Sequence, residues 1–91
     1  MVLNIKGQHI VVPNTVGAAT TFGNATCVRL VNIDNSDGRT VTIAADNSGN
    51  TTIGSFALLA GQTEIIEKKP TDVVYVGAGT DVKGTPIRFT N

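Results

Sequence analysis

At 91 residues the chain is long enough for one domain with one modest hydrophobic core, and it buries a little over ~60% of its unfolded surface. Apolar residues make up 41% and charged residues only 15%, against roughly 25% in ordinary soluble domains, with Thr, Asn and Gly filling the difference. The seven basic and seven acidic residues cancel and are scattered, so no footprint for nucleic acid or an anionic membrane is present.

The single Cys27 permits no intrachain disulfide, and no stretch approaches the ~20 apolar residues of a membrane helix. The chain begins without a basic stretch followed by an apolar run. A product made in the cytoplasm without a signal peptide is expected.

Val2 to Lys6 and His9 to Val12 read as two short strands, or one bent strand, separated by Gly7-Gln8 and stopped by Pro13-Asn14. Thr15 to Thr26 is small, polar and punctuated by glycine, with Phe22 its one large side chain. It reads as a long loop or arm with a contact role, or equally as a surface crossover with Phe22 tucked into the core. Residues 1–24 are therefore taken as N-terminal strands and an extended arm, and residues 25–91 as the body of a single domain.

Ala25 to Asp34 is a strand carrying Cys27, Val31 and Ile33 on one face and Val28 and Leu30 on the other. Apolar residues on both faces point to cover on both sides, and a neighbouring subunit is one source of it. Asn35-Ser36-Asp37-Gly38 is a turn, and Arg39 to Ala45 alternates cleanly, so these two strands are expected to form a hairpin. Asp46 to Asn50 is the next turn.

Thr51 to Ala60 and Thr63 to Lys69 read as a second hairpin about Ala60-Gly61-Gln62. A bulge at Gly54-Ser55 would bring Ile53, Phe56 and Leu58 to one face. Ile65 and Ile66 must face opposite ways, so one of them stays outside. Pro70 ends strand pairing, Val73 to Val76 is a short strand, and Gly77 to Gly84 is a loop. Thr85 to Asn91 closes the chain, with Ile87 and Phe89 inward and Pro86 at a strand start or edge. The expected fold is all-β: a small antiparallel β-sandwich or barrel of about six to eight strands with essentially no helix.

No reaction chemistry emerges. Asp46 to Asn50 fails as a calcium loop, because Ser48, Thr51 and Ala57 stand where ligands and the glycine are required. Gly77-Ala78-Gly79 lacks the third glycine and the helix of a dinucleotide loop. His9 and Cys27 have no catalytic spacing, and Glu64 and Glu67 fall on opposite strand faces. No catalytic residue, cofactor or metal ligand is expected, and the chain reads as a non-enzyme.

The run RLVNIDNSDGRTVTIAADNSGNTTIGSFALLAGQTEIIEKKPTDVV, with the terminal GTPIRFTN, resembles small virion proteins of tailed bacteriophages, including those of cyanobacteria and other marine bacteria. The shared features are an R-x-V-N strand, a T-I-G-S-F segment, an I-E-K-x-P-T-D corner and a close in F-T-N. The likeness spans about Val28 to Asn91. It implies a particle component, foremost a capsid decoration or cement protein on the outer head surface. Its partners would be copies of itself and the phage major capsid protein, with no nucleic acid and no membrane.

A neck, tail or fibre module is the alternative, and a carbohydrate-binding sandwich a second one. Candidate interface residues are Val2, Leu3, Ile5 and His9 in the N-terminal strands, Phe22 in the arm, and Ile66 as the spare isoleucine. Removing Met1 to Val12 is expected to abolish assembly and leave the sandwich folded.

Overall fold

The computed structural model describes residues 2–46, 48 and 51–90, and of Val2, Leu3, Phe89 and Thr90 the backbone alone. Eight strands follow in order: β1 (Val2–Ile5), β2 (Ile10–Val11), β3 (Cys27–Asn32), β4 (Arg39–Ala44), β5 (Thr52–Leu58), β6 (Thr63–Glu67), β7 (Val73–Val76) and β8 (Val82–Thr90). The one helical element among the described residues is a 3-10 turn at Val16–Ala18.

β8 is the spine of a five-stranded sheet, with β1 and β2 end to end along one side, β3 along the other, and β6 beyond β3. β5, β4 and β7 form a second sheet of three strands in that order. Every pairing is antiparallel, so the chain is an all-β two-sheet sandwich.

Neither expected hairpin forms. β3 already has β8 on one side and β6 on the other, so β4 finds no free edge there and crosses to the second sheet. β5 pairs with β4, and the chain then crosses back through Leu59–Gln62 to place β6 against β3. The hairpin that does form joins β4 to β5, across the segment where Asn47, Gly49 and Asn50 lie outside the described residues.

The bulge also shifts by one residue. Ile43 opposes Gly54 and Ala44 opposes Thr52, so Ile53 is the extra residue and stands exposed instead of turning inward with Phe56 and Leu58. Phe56 and Leu58 are anchored against the core, and the slack in register is taken up next to the turn.

The core joins Val28, Leu30 and Val82 of one sheet to Val41, Leu58, Val74 and Val76 of the other, with Val12 and Phe22 completing it. Each such side chain contributes about 1.5–3 kcal/mol by leaving water. Val12 is fully buried, so removing Met1 to Val12 takes a core residue with it, and folding would suffer along with any assembly.

Phe22 is likewise a core residue and no free interface group. Phe22, Gly23 and Asn24 all adopt positive φ, and the Thr20 and Thr21 hydroxyls accept the Phe22 and Asn24 amides. This left-handed turn drives the ring onto Gly84, where any Cβ would overlap it. A phenylalanine in that backbone region is unfavourable by about 1–2 kcal/mol, which burial of its ring offsets.

Pro86 lies inside the central strand β8, neither at its start nor on an edge. Its carbonyl accepts the Lys6 amide, so its nitrogen faces the same side, where the partner chain is interrupted between β1 and β2. The missing N–H leaves the Lys6–Pro86 pair with one of its two bonds, where β1 ends and the chain bends toward β2. Ile87 is buried as expected, while the Phe89 side chain lies outside the described residues.

Candidate interaction surface

The two long sides of the sandwich are built differently. On one side the outer edge of β7 is covered by the chain's own residues 13–20. The Val76 amide donates to the Pro13 carbonyl at 2.9 Å, and Thr20 and Val74 exchange amide-to-carbonyl bonds at 3.2 and 2.9 Å. On the other side β5 and β6 end their sheets, with no further strand beyond either among the described residues.

Between β5 and β6 runs an apolar cleft. One part, about 360 Å³, is lined by Ile43, Ile53, Phe56 and Ile66, with Lys68 and Asp72 at its end. A second part, about 380 Å³, shares Phe56 and Ile66 and adds Ala57, Gln62 and Glu64. Ile53, Leu59 and Ile65 are 56%, 62% and 43% exposed around it.

Polar side chains hold this open side in shape at both ends. Asn32 is fully buried, and its amide donates to the Asp37 and Leu58 carbonyls at 3.0 Å each while its oxygen accepts the Asp34 amide. Its backbone also bonds Gln62 and Gly61, so one residue ties together the crossover after β3 and the crossover after β5. Arg39 bridges Asp34 at 3.1 Å and Asp81 at 3.0 Å. The hydrogen bond to Asp81 raises the guanidinium pKa further. Asp34 is held below its ordinary 3.8 by hydrogen bonds from the Ser36 and Asp37 amides.

At the other end Lys68 is buried, and its ammonium donates to the carbonyl of Ala25 at 2.7 Å and, more weakly, to those of Lys69 and Pro70. Burial lowers its pKa, and the nearby Asp72 charge partly restores it. The ammonium thus pins the Pro70 corner to the start of β3.

The candidate residues read from the sequence separate into distinct places. Ile5 and His9 come together beside a shallow recess on the β1–β2 bend. Phe22 lies on the floor of an open cleft of about 640 Å³, which Lys6, Asn24, Pro86 and Arg88 also line. The Val2 and Leu3 side chains lie outside the described residues. Ile66 faces inward opposite Val28 and packs against the core; Ile65 is the isoleucine left outside. The parity is fixed because Ile66 pairs with an inward residue of β3.

Asn32, Lys68 and Phe56 were not singled out by sequence patterning as parts of this surface. For Asn32 the signal was its inward register after Val28 and Leu30. For β5 it was the absence of any charge between Asp46 and Glu64.

Glu64 and Glu67 oppose Leu30 and Cys27 and so lie on opposite faces. Among the described residues no group of three or more His, Cys, Asp or Glu side chains is placed to hold a metal ion. What the arrangement offers is an apolar, weakly charged seam bounded by two strand edges. Comparison with family models, with curated proteins and with solved structures finds no match to this chain.

Proposed function

We propose that the protein is a structural component of a tailed-phage particle, foremost a capsid decoration protein that binds the outer head surface and stabilises contacts between major capsid subunits. The observation that carries the reading is the open side. Two strand edges and the Phe56–Ile66 cleft between them are presented on a body with 15% charged residues. Such a surface suits many modest contacts with protein neighbours and supplies no reaction chemistry. The sequence resemblance to small virion proteins points the same way. In this reading the partners are further copies of the chain and the major capsid protein, and no cofactor, nucleic acid or membrane takes part.

A carbohydrate-binding role is less well supported, because sugar sites stack exposed aromatic rings. Among the described side chains Phe22 is buried, and Phe56 and Tyr75 are half-buried. The test is the copy number of this chain relative to the major capsid protein in purified virions, by quantitative mass spectrometry. Comparable stoichiometry supports decoration of the head lattice. A few copies per particle reassign the chain to neck, tail or fibre, and absence from the particle removes the virion reading.

A further inference from the structure

The hydrogen-bonding phase of β5 follows from its neighbours. Val74 and Val76 direct their amides away from β4 toward Thr20 and Pro13. Their β4 partners Ile43 and Val41 therefore direct theirs toward β5, where Gly54 and Phe56 complete bonded pairs. The Thr40 carbonyl, which accepts the Gly77 amide, confirms this phase from the β7 side. Ser55 and Ala57, which alternate with Gly54 and Phe56, consequently turn both N–H and C=O out to the free edge.

That usable edge is bounded on both sides. Toward the start of β5 the bulge at Ile53 breaks the regular spacing. Toward the end the Leu59 amide, next in phase, is already capped by the Gln62 side-chain oxygen at 2.8 Å. The free groups are thus those of Ser55 and Ala57, placed symmetrically about Phe56.

We infer that β5 pairs with β5 of a second copy of this chain, antiparallel, about a two-fold axis at Phe56. In that register Ser55 of each copy forms a bonded pair with Ala57 of the other, and the two Phe56 rings meet at a close, non-bonded pair on the inner face. A register centred on Ser55 would set Ala57 against the bulge, and one centred on Ala57 would set Ser55 against the capped Leu59 amide. The Phe56 register alone satisfies every free group.

Charge favours self-pairing of β5 over self-pairing of β6. β5 carries no charge, so a two-fold axis sets no like charges against each other, whereas β6 presents Glu64 and Glu67. Edges that natural proteins leave free are normally protected by charge or proline, and β5 has neither. Gly54 agrees: it sits inside a strand without positive φ, and a Cβ there would meet nothing within the protomer. Gly54 flanks the Ile53 bulge, and the open space on its face also leaves room for another backbone to approach. The pairing also brings the two apolar clefts together and closes the seam as an isologous contact.

This inference specifies the self-association within the proposed function. It is tested on the purified chain without any particle, so its failure and that of the virion reading are distinguishable. Sedimentation equilibrium is measured on the wild type, on Ala57→Pro, which removes an edge-facing N–H without touching the β4 ladder, and on Ser55→Glu, an exposed position. Thermal unfolding identifies any variant that fails to fold.

The expected result is a wild-type dimer, with self-association weakened at least tenfold in each folded variant. A wild type that stays monomeric at high micromolar concentration overturns the inference. So does an oligomer that Ser55→Glu leaves unchanged, since its contact then lies elsewhere. Protection of β5 only when the major capsid protein is added also overturns it, and makes the occupant a segment of that partner.

Discussion

The closed and open sides of the sandwich use the same materials to opposite ends. On the closed side, residues 13–24 bond the edge of β7 and insert Phe22 over Gly84, so the β7 edge is satisfied within one chain, while β1 and β2 remain the outer edge of the larger sheet. On the open side the two edges face solvent, and Phe56 and Ile66 complete the core only in part. The connections differ accordingly. A long glycine-punctuated segment wraps the first side, while the short crossover Leu59–Gln62 joins β5 to β6 at one end of the second and covers neither edge. One long connection covers the β7 edge, and the β5–β6 side is left without such cover.

Substitutions separate the two sides. Phe22→Ala on the closed side is expected to cost about 3–5 kcal/mol, enough to unfold a domain of this size, as read by urea denaturation. Asn32→Leu breaks the shared support of both crossovers and leaves the Asp37 and Leu58 carbonyls and the Asp34 amide without their partner. About 2–3 kcal/mol should be lost, with the same readout.

Phe56→Ala sharpens the contrast. Because the ring is half-buried, about 1–2 kcal/mol is expected, well below Phe22→Ala, while self-association measured by sedimentation should fall by more than stability does. Ile53→Thr, at the exposed bulge, should leave the unfolding free energy from urea denaturation within about 0.5 kcal/mol of wild type.

The smallest effect is in acid. Asp34 has a lowered pKa, so its bonds to the Ser36 and Asp37 amides contribute fully above its ordinary 3.8. That contribution fades as pH falls through the lower folded value. Asp34→Asn should flatten that part of the stability–pH profile, measured by thermal unfolding between pH 2 and 5. An unchanged slope would deny Asp34 this role.

Most strand positions were legible because alternation and turn residues mark them directly, but residues 82–84, read as loop, begin β8 and place Val82 in the core. Val28 and Leu30, Val41 and Val76 all lie where the pattern places them. Strand partners were not, since a turn signal such as Asn35–Gly38 announces a reversal without saying whether the chain returns in the same sheet or crosses to the other. That choice depended on β3 being occupied on both sides by strands far away in sequence, and on the buried amide of Asn32 anchoring the crossovers.

The Ile53 bulge and the sidedness of Ile65 and Ile66 turned on one-residue parity, which pairing sets and local composition does not. Phe22 offered two readings, and its left-handed turn, built from Thr20 and Thr21, selects the buried one. Of the candidate interface residues only Ile66 lines the β5–β6 cleft, and Ile53 and Phe56 joined it only once β5 was located as a sheet edge.

Residue-resolved amide exchange of the purified chain, followed from dilute to concentrated solution, tests the difference between the two sides most directly. The account predicts that Val74 and Val76, bonded to Thr20 and Pro13, are protected at every concentration, and that Ser55 and Ala57 exchange freely when dilute and gain at least tenfold protection as concentration rises. Protection of Ser55 and Ala57 that is already complete in dilute solution, or rapid exchange at all concentrations, would contradict it.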